Sequence, residues 1–386
     1  MRYISNEYFS LTYPDKIAFV FLPISFRVSK NGSNIPKSME VTLEDRASGK
    51  QAVVEIECAQ DGTGIVDMRE YVRDMFNPVN MADVDYEGGE QDAGTGIFLD
   101  VSITITMKDG QTFVPVDYQQ DACICAVYGA PKIDGKDTFN YGQHFKYWRG
   151  YPYSIGLYNW DLQSATYPSY IAFLQNNNFV GVGFDITRAG MLNQPILYDT
   201  FNGIRGTLTI AFEEINYGTT FDKQYGYATM KNLGCIANPN DHFATMEIEE
   251  CAPKDPVYLR YLDRFGFLRY WLFERGDVSI NVECVTSYNR NNFMMVDSNG
   301  RGLFGGHNSY ERKDVVPLCA NNLTREQWQT LADIHTSPFV EMLADKTDEQ
   351  WLEVTIAPGS YTCDRKKERQ EMIVNMILPK FNGQTI

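Results

Sequence analysis

Val257-Tyr258-Leu259-Arg260-Tyr261-Leu262, then Asp263-Arg264-Phe265-Gly266, then Leu268-Arg269-Tyr270-Trp271-Leu272-Phe273, is the stretch on which the fold class turns. Two runs of rings and aliphatics flank four residues of turn chemistry, and such side chains suit the pleated, half-buried surface of a strand. The stretch reads as a β-hairpin dense in aromatics and arginines. The guanidinium planes of Arg260, Arg264 and Arg269 have Tyr and Trp faces beside them on which to stack.

Upstream, the same pattern recurs. Val41-Thr42-Leu43 and Val54-Glu55-Ile56-Glu57-Cys58 alternate apolar and polar residues around the turn Arg46-Ala47-Ser48-Gly49, so one face is buried and the other wet. Phe98 to Met107, Lys108-Asp109-Gly110-Gln111 and Phe113-Val114-Pro115-Val116 form a second antiparallel pair. Pro115 donates no ladder hydrogen bond and predicts an edge position there. Thr207 to Ile215 reads as a further strand, and so do Val340–Leu343, Leu352–Ile356 and Glu371 to Leu378. Two short helices interrupt the strands. Asp67-Met68-Arg69-Glu70 and Thr324-Arg325-Glu326-Gln327 both have capping-box spacing, the first ahead of Met68, Val72 and Met75 and the second ahead of Trp328, Leu331 and Ile334, until Ser337-Pro338. The expected fold is mainly β, with antiparallel β-sandwich domains and a few short helices. No fixed-period repeat is present, which disfavours solenoids and propellers.

The length of 386 residues exceeds what one hydrophobic core usually serves. Composition divides the chain into an N-terminal β-sandwich domain (1–130), an aromatic-rich middle β domain (131–250) and a C-terminal α+β domain (251–386) that opens with the hairpin. Lys+Arg 34 against Asp+Glu 50 leaves a formal charge of −16, which repels phosphate backbones and acidic membrane surfaces, so nucleic acid is not an expected partner. The apolar run Ile17–Leu22 ends at Pro23, far short of a bilayer span, and neither a signal peptide nor membrane insertion is expected. The eight cysteines are scattered without a framework and read as reduced.

Enzyme signatures are missing. Neither Gly-x-Ser-x-Gly nor a phosphate-cradling Gly-x-x-x-x-Gly-Lys occurs, and the four histidines His144, His242, His307 and His335 lack metal-ligand spacing. A glycoside hydrolase needs only two well-placed carboxylates, for which Asp161, Glu213 and Glu214 are the available candidates. Asp83-Val84-Asp85-Tyr86-Glu87-Gly88 imitates the start of a calcium loop, but Gly94 stands where a bidentate Glu is needed. The segment reads as a solvated acidic loop, with a non-EF calcium site on Asp83, Asp85 and Glu87 as the alternative and no other cofactor expected. The chain carries 24 Tyr and 23 Phe, and from Phe139 to Trp160 rings crowd among Gly and Pro; there Trp148, Tyr151, Tyr153 and Trp160 are either core and subunit interface or a platform for sugars. In the hairpin, Tyr258, Arg260, Tyr261, Arg264, Tyr270 and Trp271 are the candidate interface residues.

The run Val257 to Gly266 with Tyr270-Trp271-Leu272-Phe273 resembles a segment of virion structural proteins of phages and prophages of gut Bacteroidota. Phe19 to Phe26, the Gly64-Ile65-Val66-Asp67 entry to a helix ending at Phe76, and Met376-Ile377-Leu378-Pro379 fit the same pattern. The resemblance implies a non-enzymatic component of the tail, tail tip or baseplate, located in the virion and made in the cytoplasm of a bacterial host. It implies assembly as a homo-oligomeric ring, with other virion proteins and a host surface glycan as further partners. A carbohydrate-binding adhesin using the surface aromatics is the alternative function.

Overall fold

The computed structural model describes residues 1–386 apart from 16, 119–122, 131–142, 160–168, 177, 189, 215–243, 289–305, 379–380 and 383–386. In chain order the first elements are β1 (Arg2–Ser5), β2 (Phe9–Tyr13), β3 (Ile17–Phe19), β4 (Ser25–Lys30), β5 (Pro36–Asp45), β6 (Gln51–Glu57), β7 (Gly64–Asp67) and α1 (Arg69–Met75). Then come β8 (Gln91–Asp92), β9 (Gly96–Met107), β10 (Thr112–Asp117), β11 (Ile124–Val127), β12 (Gln143–Trp148), β13 (Tyr153–Asn159), β14 (Ser169–Gln175), β15 (Asn178–Ile186), β16 (Gly190–Ile196), β17 (Gly206–Glu214) and β18 (Ala244–Glu249). The remainder is β19 (Pro256–Leu262), β20 (Leu268–Arg275), β21 (Ser279–Tyr288), β22 (Gly306–Leu323), α2 (Arg325–Leu331), β23 (Val340–Asp345), β24 (Gln350–Ile356), β25 (Gln370–Ile377) and β26 (Phe381–Asn382). The fold is mainly β and mainly antiparallel; β3 with β11 and β12 with β18 are the parallel pairs among the described strands.

Two compact units account for the described chain. One comprises Met1–Glu250 and Leu262–Arg269, the other Cys251–Tyr261 and Tyr270–Ile386. The main run of the first unit ends at Glu250, and residues on both sides of 130 lie within that unit. The physical reason lies in the acidic loop: β8 pairs with β16, and the Glu90 carboxylate accepts hydrogen bonds from the backbone N–H groups of Thr187 and Arg188. Residues on either side of 130 therefore share one sheet.

Four sheets build the first unit. β1-β2-β4-β7 faces β3-β11-β9-β5-β6, with β10 added to β9, and Phe9 of β2 meets Phe113 of β10 edge-on at 5.7 Å. Period-two alternation sends Leu99, Val101, Ile103, Ile105 and Met107 of β9 inward, all fully buried, while Asp100, Ser102, Thr104 and Thr106 face outward. Pro115 sits inside a β-bulge on the added strand β10, where a missing N–H breaks no regular ladder. The sheets β12-β18-β17-β14-β15 and β13-β16-β8 enclose a ring cluster in which Tyr147 meets Tyr153 at 5.4 Å and Phe201 at 5.6 Å, and Phe173 meets Phe201 at 4.9 Å.

The second unit is a closed six-stranded barrel, β20-β19-β23-β24-β25-β22, sealed where Glu274 and Arg275 of β20 pair with Cys319 and Leu318 of β22. Closure removes the exposed edges that an open sheet of this size would present. Val374, Leu318, Leu323 and Phe273 are fully buried, as is Leu331 of α2. The capping box at α2 is complete, because Thr324 Oγ1 accepts from Gln327 N at 3.1 Å and Gln327 Oε1 accepts from Thr324 N at 2.9 Å. The box expected at α1 does not form. Asp67 is the last residue of β7, so Met68 occupies the N-cap; Asp67 Oδ1 accepts from Ile24 N and Arg69 N, and Glu70 turns to Arg73. No helix among the described residues is long and apolar enough to cross a membrane.

Candidate functional site

The hairpin β19–β20 is built as its sequence predicts, and its tip belongs to the first unit while its stem belongs to the second. At the tip, Asp263 N donates to Phe267 O at 2.9 Å and Gly266 N to Asp263 O at 3.0 Å, with Gly266 at φ +83°. The Asp263 side chain organises the turn: Oδ1 accepts from Phe265 N and Phe267 N, each at 2.9 Å, and Oδ2 accepts from Arg269 Nε at 2.7 Å. Both partners are about 95% buried, with side-chain exposures of 3% for Asp263 and 5% for Arg269. The Arg269 guanidinium also lies 4.5 Å from the Phe145 ring centroid and 5.3 Å from that of Phe267. Phe267 joins Ala93, Cys125, Val127 and Met191 in one buried cluster. The fit allows no added carbon: a Cβ on Gly129 would stand 2.6 Å from Arg264 O, and one on Gly156 would stand 2.8 Å from the Phe267 ring.

In the stem, Arg260 Nε donates to Glu341 at 2.6 Å and its guanidinium lies over Trp351 at 4.2 Å, while Tyr258 stacks on Tyr270 at 6.0 Å. Tyr261 donates its hydroxyl to Thr330 O, at 3.1 Å. Of the six residues read as interface candidates, Tyr258, Arg260, Tyr261, Tyr270 and Trp271 are buried, and Arg264 is half-buried. The expectation that these rings face a second subunit is therefore corrected: they pack within their own chain.

The aromatic belt has a similar outcome. Trp148 is 6% exposed and Tyr153 3%, Tyr151 is half-buried, and Trp160 lies outside the described residues. Two of the four rings, Trp148 and Tyr153, are thus interior and offer no surface for a sugar to stack on. Burial pushes the Tyr151 hydroxyl pKa up, and it does the same to Tyr147, whose hydroxyl is buried without a hydrogen-bond partner. Asp161, Cys235 and His242 also lie outside the described residues.

Asp83, Asp85 and Glu87 are exposed, as a solvated loop requires. Asp85 Oδ1 accepts from Glu87 N and Gly88 N at 3.1 Å, and Gln91 brackets the turn by accepting from Asp85 N and donating to Asp85 O. No group of three or more His, Cys, Asp or Glu side chains among the described residues converges as a metal site would. At the open end of the hairpin a groove of about 660 Å³ brings Lys254 and Arg275 together with Asp255, Glu274 and Asp277.

One feature was not read from the sequence. β22 runs for 18 residues, and only its second half, from Val315 onward, pairs with β25 of the barrel. Its first half, Gly306 to Asp314, continues beyond that contact as a two-stranded ribbon with β21, joined by β26 at Glu311 and Arg312. Nine residues of strand extend roughly 30 Å. Among the described strands, β21 pairs with β22 alone, and its outer edge has no described partner.

No protein-family model matches the chain, and no curated protein matches it.

Proposed function

We propose that the protein is a non-enzymatic structural component of a bacteriophage virion, in the tail, tail tip or baseplate, that assembles as a homo-oligomeric ring. The virion assignment rests on the resemblance carried by the hairpin and the three shorter segments. The observation that carries the assembly is the ribbon of β21 and the first half of β22. A two-stranded ribbon is marginal in water on its own, and an open strand edge is a template for another chain. β21, Ser279-Ile280-Asn281-Val282-Glu283-Cys284-Val285-Thr286-Ser287-Tyr288, contains neither Lys nor Pro, the residues that commonly blunt such an edge, and Ile280 is 56% exposed. With the aromatic residues of the hairpin packed inside the chain, the ribbon is the assembly element.

Mass photometry and negative-stain imaging of the full chain test the proposal, beside a variant in which Asn281 and Lys313, which face each other in the ladder, are joined by an Asn-Gly turn. The full chain forms closed rings on concentration, and the trimmed variant keeps the barrel and remains monomeric. A full chain that stays monomeric throughout, or a trimmed variant that assembles equally well, refutes the reading.

A further inference from the structure

The outer face of the sheet β6-β5-β9 carries a charge arrangement that the described residues do not neutralise. Glu55 of β6 stands directly opposite Glu40 of β5, and Glu44 of β5 directly opposite Asp100 of β9. Like charges in opposed positions lower the stability of a sheet. Glu57 continues the same face on β6, and between the acids lie Thr42, Ser102, Thr104 and Val53, the last 53% exposed. Among the described residues one cation answers five carboxylates: Arg46 pairs with Asp100 at 2.5 Å. Glu40, Glu44, Glu55 and Glu57 have no ion pair or side-chain hydrogen bond among the described residues. The opposite face is fully buried through Met39, Val41 and Leu43, so the acids are held on a rigid support.

The second unit holds the complement. In a chain of net charge −16, Arg365-Lys366-Lys367-Glu368-Arg369 places four cations in five exposed residues. Their loop is built rather than loose. Gln370, 2% exposed, accepts from Asp364 N at 2.9 Å through Oε1 and donates through Nε2 to Asp364 O at 2.8 Å and Lys367 O at 2.9 Å. Arg325 adds a hydrogen bond to Arg365 O at 3.2 Å. A loop ordered before contact loses little conformational entropy on binding. No side chain of Arg365, Lys366, Lys367 or Arg369 has an ion-pair partner among the described residues.

We propose that the acidic face of β5, β6 and β9 receives the Arg365–Arg369 loop of a second copy of this chain. The inference rests on the homo-oligomeric reading above and deepens it by naming a second pair of mating surfaces beside the ribbon. Because the two surfaces are different patches, the contact is head-to-tail, the kind that closes into a ring when its rotation permits. Its charged character also makes it sensitive to salt.

Sedimentation velocity on the full chain at about 0.05 M and about 0.5 M salt reads the contact. Lys366→Glu with Lys367→Glu weakens association by roughly tenfold or more, Glu40→Lys with Glu55→Lys does the same, and the four changes combined restore it to within about threefold. Circular dichroism on each variant separates lost contact from lost fold. Charge-reversed variants that assemble as the natural chain does, or a combination that fails to recover, overturn this pairing and leave the homo-oligomeric reading in place. A natural chain that remains monomeric at both salt concentrations overturns both.

Discussion

Replacing Asp263 by Ala removes three hydrogen bonds at once, two from the backbone N–H groups of Phe265 and Phe267 and one from Arg269. It also takes the Asp263 carboxylate away from a guanidinium that is 5% exposed. Breaking a buried ion pair from one side costs about 3–5 kcal/mol, because the remaining charge stays desolvated. The ring contacts of Arg269 with Phe145 and Phe267 exist already in the natural protein and offset none of this. Asp263→Asn separates the contributions: its amide oxygen still accepts from the two backbone N–H groups, while its amide N–H₂ faces the Arg269 donor, so the loss of the carboxylate stays and only the two backbone hydrogen bonds are spared. The tip belongs to the first unit, so the loss appears in the unfolding of that unit. At the scale of about 2–4 °C per kcal/mol for a unit of this size, Asp263→Ala lowers its melting temperature by roughly 10 °C. Differential scanning calorimetry gives the shift, and hydrogen exchange of peptides covering 123–130 and 262–269 locates it. A drop below about 2 °C with unchanged exchange would refute the reasoning.

Two further expectations follow from named contacts. His335 stacks on Tyr361 at 3.4 Å with both ring nitrogens buried and without a hydrogen-bond partner among the described residues, and burial lowers its pKa to about 4 from the usual 6.5. The unfolded chain therefore takes up the proton first, and stability that is complete above about pH 6.5 is lost as pH falls toward 4; for a half-buried ring the loss is about 1–2 kcal/mol. His335→Phe keeps the stack and flattens this acid limb, and parallel melting profiles for the two proteins between pH 7 and 4.5 would count against the argument. Gly266→Ala meets both a left-handed backbone at φ +83° and a Cβ 2.7 Å from Val127 Cγ1, and costs about 2–4 kcal/mol. Gly49→Ala, at φ +69° with nothing within 4 Å, costs only about 1 kcal/mol, and equal effects in urea titrations of the two variants would show that the contact is immaterial.

What the sequence made legible was local. β9 announces itself because Leu99, Val101, Ile103 and Ile105 alternate with Asp100, Ser102 and Thr104, and a half-buried strand has no other way to satisfy both faces. Thr324 and Gln327 read as a cap because both hydrogen bonds of the box lie within four residues. The same spacing misled at Asp67, where pairing of β7 with β4 claims the residue before a helix can. The aromatic candidates were found but not placed: Tyr258 and Arg260 point away from Leu259 and Tyr261, yet all four are buried, so the strand shows none of the alternation that distinguishes a wet face from a dry one. β22 was missed because Glu311-Arg312-Lys313-Asp314 and Pro317 look like a loop, and only its long-range partners make it a strand. The acids of the outer sheet face are likewise scattered in sequence, at 40, 44, 55, 57 and 100, and become one surface only through the ladder register.

The division of the hairpin between two units has a consequence for synthesis. Residues 1–250 emerge from a ribosome before the tip, Leu262–Arg269, that completes their unit has been made. Until Phe267 arrives, the cluster of Ala93, Cys125, Val127 and Met191 is short of one ring, and the glycines at 129 and 156 lack the neighbours that Arg264 and Phe267 supply. The first unit therefore completes its packing only after the chain has begun its next unit.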